Sequence, residues 1–66
     1  MKQYELIATN DAGANAKYAG DTIEDCKLQF SNEYPDLTEY IVRIYNHYTG
    51  KLLQVKPMGE MTYSKT

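Results

Sequence analysis

Gly20-Asp21-Thr22-Ile23-Glu24 and Tyr34-Pro35 bracket a single helix, and the segments on either side read as strand or turn. The core must therefore be one helix against a sheet. Asp21 is placed to cap the free amides of the first turn, and Glu24, three residues on, completes a capping box. Pro35 disfavours helical geometry at the residue before it, so the helix is expected to end near Tyr34. On a helical wheel Ile23, Cys26, Phe30 and Tyr34 share one stripe, which faces the sheet. Leu28 points the opposite way, among Glu24, Asp25 and Asn32.

The flanks carry period-two patterns. From Gln3 to Ala8, Tyr4, Leu6 and Ala8 alternate with Gln3, Glu5 and Ile7, as in a half-buried strand. The small, polar run Thr9 to Asn15 ends it, and Ala16 to Ala19 can return as a short antiparallel strand. Beyond the helix, Thr38 to Tyr48 is rich in β-branched and aromatic residues, with Tyr40, Val42 and Ile44 as the core face. Thr49-Gly50 reads as a hairpin turn, and Lys51 to Lys56 as the last strand with Leu53 and Val55 inward. Pro57 stops it. The expected fold class is α+β: a three- to four-stranded antiparallel sheet with one helix packed on one face, in the order β-(β)-α-β-β. Residues 1–57 form the single domain, and residues 58–66, without any period, are expected to be a flexible tail.

The 66 residues suffice for one thin core, since a chain of this length can bury only about 60% of its unfolded surface. With Cys26 as the lone cysteine, neither a disulfide nor a structural zinc site can supplement it. Self-association as a homodimer, or a tight partner, would. No apolar stretch is long enough for a secretory leader or a membrane span, so a cytoplasmic location is expected, with no membrane partner.

The inventory of reactive groups argues against an enzyme. His47 is the only histidine and sits beside a hairpin turn. Cys26 lies on the core stripe next to Asp25, an environment that raises a thiol pKa. Glu24 and Asp25 point about 100° apart on a helix and make a poor shared site. No catalytic residue, metal ligand or cofactor is expected.

Two surfaces remain for binding. The window from Asp21 to Glu39 holds six acids against Lys27, a charge of −5, while the rest of the chain carries +3. The outer helix face in that window, Glu24, Asp25, Leu28 and Asn32, sets an apolar residue among acids, as at the centre of a contact patch. The alternative is the outer sheet face, with Ile41, Arg43, Tyr45, His47 and Lys56, a mixture of apolar, aromatic and basic groups. Such a face suits a dimer or protein partner, nucleic acid stacked on Tyr45 with Arg43 and Lys56 on phosphates, or cover by the C-terminal tail. Three basic groups beside a −5 segment are a thin footprint, so protein contact is favoured over nucleic acid.

The run Tyr18-Ala19-Gly20-Asp21-Thr22-Ile23-Glu24-Asp25-Cys26, followed by Tyr34-Pro35 and Tyr40-Ile41-Val42-Arg43, resembles a layout of small phage-encoded proteins. The small inhibitors of host RNA polymerase made by some podophages are similar in layout, with a short sheet and one helix opening on an acid-rich turn. The resemblance covers residues 18–44. It implies a phage or mobile-element protein, in the host cytoplasm, that binds and blocks a host factor by presenting acids where that factor expects nucleic acid. The −5 segment around Leu28 makes the acidic helix face the expected contact.

Overall fold

The computed structural model describes residues 2–65; Met1 and Thr66, the outer ends of the expected domain and tail, lie outside the described residues. Two hairpins flank the helix. Strands β1 (Tyr4–Thr9) and β2 (Asn15–Gly20) form the first, helix α1 (Ile23–Glu33) follows, and β3 (Ile41–Asn46) and β4 (Leu52–Lys56) form the second. A two-residue strand, β5 (Ser64–Lys65), completes a fully antiparallel sheet in the order β2-β1-β3-β4-β5. The α+β class holds, and the weakly patterned second strand is present.

Side chains that bond their own backbone shape the turns. Asn10 Oδ1 accepts from the amides of Ala12 (3.1 Å) and Ala14 (3.0 Å) and closes the β1–β2 loop. Asn46 Oδ1 accepts from Tyr48 (2.9 Å) and Thr49 (3.0 Å), and Gly50 at φ 73° completes the second turn in the left-handed region that favours glycine. The helix cap falls one residue later than expected. Thr22, in extended geometry, accepts from the amide of Asp25 at 3.0 Å, so Thr22 rather than Asp21 is the N-cap and Asp25 rather than Glu24 holds the third position. The strand expected from Thr38 is also shorter. Asp36 Oδ1 accepts from the Thr38 amide (3.1 Å) and hydroxyl (2.6 Å), and these bonds accompany a single 3-10 turn at Leu37–Glu39 before β3 starts.

The core is the layer between helix and sheet. Leu6, Ala8, Val42 and Ile44 from the sheet and Cys26 and Phe30 from the helix are fully buried. Phe30 is the hub: its ring lies 5.9 Å from Tyr18, 5.4 Å from Tyr34 and 5.6 Å from Tyr40, the last edge-on. Gln29 Nε2 reaches back to the Ala19 carbonyl at 2.9 Å and fixes the helix over the β2 edge. The Cys26 thiol donates to the Tyr4 carbonyl at 3.6 Å, and burial, then Asp25, pushes its pKa up.

Strand β4 inverts the expected phase. Val42 pairs with Lys56, Ile44 with Gln54 and Arg43 with Val55, before a register shift leaves Leu53 as an extra residue ahead of the Tyr45–Leu52 pair. Directly paired residues share a face, so Gln54 and Lys56 lie on the helix side with Val42 and Ile44, while Val55 is outside with Arg43. Lys56 is fully buried, and its ammonium donates to three backbone carbonyls: Tyr40 at 2.6 Å, Glu60 at 2.9 Å and Pro57 at 3.2 Å. Those bonds make a buried cation tolerable. Burial pushes the amine pKa down, and the charges of Glu60 and Asp36 oppose it.

Residues 58–65, expected as a tail, contact the rest of the chain at several points. The Gly59 amide bonds to the Thr38 carbonyl at 2.8 Å, Glu60 supplies a carbonyl to Lys56, Tyr63 packs against the core, and β5 pairs with β4. No signal local to the tail reveals this, because its anchors lie at Thr38, Gln54, Val55 and Lys56.

Lys56→Ala is expected to cost about 3 kcal/mol in urea unfolding, since it opens a cavity and strands three carbonyls. Lys51→Ala, on the exposed turn of the same hairpin, should stay within about 0.5 kcal/mol.

Tyr18, half-buried on β2, donates to Glu33 Oε2 at 2.7 Å. Desolvation, then the Glu33 bond and charge, push its phenol from 10.0 up to about 12. A folded-state value above the unfolded one contributes stability that is complete below pH 10 and is lost as pH rises towards 12. Denaturant unfolding across that window should show falling stability, with a shallower fall in Tyr18→Phe.

Candidate functional site

The helix brings Leu28 outward, 58% exposed, with Glu24 and Asn32 one turn away on either side and also exposed. Asp25 departs from this face. It is half-buried and turned towards Gly20, where an added Cβ would stand 2.9 Å from Asp25 Oδ2, so the missing side chain of Gly20 is what admits the carboxylate. Three of the four expected helix-face residues thus form an exposed patch, and Asp25 borders it.

Tyr63, assigned from sequence to a loose tail, forms the wall beside Leu28. Glu24, Lys27, Leu28, Ser31 and Tyr63 line an open groove of about 380 Å³. The Lys27 ammonium sits 4.2 Å from the Tyr63 ring centroid, which holds the one base of the acidic window against an aromatic face. Burial, then the charge of Glu24, raises the Tyr63 phenol pKa. The apolar centre of the patch is therefore two side chains from segments 35 residues apart in the chain.

The outer sheet face is assembled by register. Ile7 stands between Lys17 on β2 and Arg43 on β3, Arg43 between Ile7 and Val55, and Glu5 between Ala19 and Tyr45. Ile41 ends the same row on β3, opposite Thr9. Glu5 Oε2 lies 3.5 Å from Lys17 Nζ and 3.7 Å from His47 Nδ1, and the His47 ring packs edge-on to Tyr48. Lys56, expected here, is on the opposite face and buried, because β4 pairs in the other phase. Val55 and Lys17 take places on this face that the sequence did not indicate.

Among the described residues, no group of three or more His, Cys, Asp and Glu side chains is placed to hold a metal ion, and no helix is long and apolar enough to cross a membrane. Comparison of the chain with protein-family models, with curated proteins and with solved structures finds no match.

Two buried polar atoms, Gln54 Oε1 and the Tyr63 hydroxyl, have no hydrogen-bond partner among the described residues. An unpaired buried hydroxyl costs about 1–3 kcal/mol, whereas the ring itself is an anchor. Tyr63→Phe is therefore expected to leave stability unchanged or raise it by about 1 kcal/mol in thermal unfolding, and Tyr63→Ala to lower it.

Proposed function

We propose that this chain is a non-enzymatic inhibitor that occupies a surface on another protein with the outer face of α1. The observation that carries the reading is the exposed Leu28 beside the Tyr63 groove, set in a segment of charge −5. A large apolar side chain next to a formed groove and rimmed by polar groups has the anatomy of a small contact centre. Glu24 at its edge and the acids along the helix favour a partner with a basic groove, and the field they create speeds encounter with it. The phage-type layout of residues 18–44 supports the same class, a protein that blocks a host factor by covering a basic surface. Asp25 has a lesser part, since its carboxylate is turned to Gly20.

The test is affinity capture from bacterial lysate with wild type and point variants in parallel. One protein retained by wild type should be lost with Leu28→Asp, weakened by Glu24→Lys about tenfold in subsequent titration, and kept by Arg43→Glu. Equal retention by wild type and Leu28→Asp would remove the helix face from consideration.

A further inference from the structure

The sheet has one covered face and one open face. On the open face Ile7, Ile41, Arg43, Tyr45 and Val55 are half-buried, and among the described residues the helix and the segment returning to β5 pack on the opposite side. An antiparallel sheet that meets water on one side is ordinarily polar there. This one has an apolar and aromatic centre around a single guanidinium. Among the described residues no carboxylate lies within ion-pair range of Arg43, and its cross-strand neighbours are Ile7 and Val55. The carboxylate of this face, Glu5, is on the neighbouring strand, one face position away from Ile7.

We infer that a second copy of this chain packs on the open face, related by a two-fold axis that runs along the strands between β1 and β3. Such an axis lays β1 of each copy over β3 of the other. Ile7 then covers the stem of Arg43, and the guanidinium reaches Glu5 of the opposite copy, twice by symmetry. Facing sheets stand about 10 Å apart, a gap that an arginine and a glutamate extended towards each other span. The face is self-complementary in charge: Arg43 and Lys17 belong to it together with Glu5. Glu5 on the same face also counts against a polyanion as the occupant.

The size of the surface sets the strength. Four strands of five or six residues project roughly 400 Å² per copy, from strand spacings of about 4.8 Å and rises of about 3.3 Å. Side-chain relief enlarges this to the low end of specific interfaces, about 1,200 Å² in total, so dissociation in the micromolar range is expected. Both helices lie on the outside of such a pair, which leaves the Leu28 patch accessible and makes this inference independent of the reading above.

Sedimentation velocity from micromolar to near-millimolar protein is the test. Wild type should rise with concentration towards twice the 7.6 kDa chain mass. Arg43→Glu and Ile7→Lys should stay at the chain mass with unchanged far-UV circular dichroism, and Leu28→Asp should assemble like wild type. Adding Glu5→Arg to Arg43→Glu should restore association at least tenfold over Arg43→Glu alone. A wild-type protein that keeps the chain mass throughout would overturn the inference. So would a dimer indifferent to both Arg43→Glu and Ile7→Lys, or a monomer that binds a single-stranded oligonucleotide through Arg43.

Discussion

Three backbone carbonyls converge on the Lys56 ammonium, and each comes from a different part of the chain's second half. Tyr40 precedes β3, Pro57 follows β4, and Glu60 belongs to the turn that leads back to β5. A buried ammonium without such partners would be prohibitively costly. With them it ties the start of one strand, the end of the next and the returning segment into one unit. It also sets which way β4 faces, because Lys56 cannot reach all three carbonyls from the outer side of the sheet.

That phase divides the surface. Gln54 and Lys56 take the helix side, Val55 moves outward beside Arg43, and the outer face loses one base and gains one apolar group. A platform for nucleic acid depends on basic groups along a groove, and β4 supplies none here; Arg43 on β3 and Lys17 on β2 are the bases of this face. The centre of the face is apolar and aromatic, with Ile7, Val55 and Tyr45 around Arg43. The helix side changes too. The returning segment places Tyr63 against α1, so Leu28 stands at the rim of a groove and not on a bare helix.

The acids of residues 21–39 have several tasks. Asp25 packs its carboxylate by Gly20, Glu33 accepts from the Tyr18 hydroxyl, and Asp36 accepts from Thr38 in the turn after the helix. Bonds from Thr38 hold the Asp36 carboxyl below the usual carboxylate range. Glu24 is exposed at the groove. A charge run in sequence is thus partly structural, and the portion free to meet a partner is smaller than its formal sum.

The α+β class, the single helix and its Ile23, Cys26, Phe30 and Tyr34 stripe, the first strand's inward Leu6 and Ala8, and the inward Val42 and Ile44 are all determined by the sequence alone. Each rests on a local signal, a cap, a proline stop or a short period, that needs no knowledge of neighbours. The capping residue moved by one position: Asp21 and Thr22 are both competent caps by residue type, and the observed bond runs from the Asp25 amide to Thr22. The phase of β4, the burial of Lys56, the docking of Tyr63 and the fifth strand were decided by the tertiary structure. Alternation in Lys51 to Lys56 favours Leu53 and Val55 inward, yet one extra residue at Leu53 reverses it, and a lysine is buried because carbonyls distant in sequence meet at its tip. Pairwise contacts of that kind leave no periodic trace in the segments that make them.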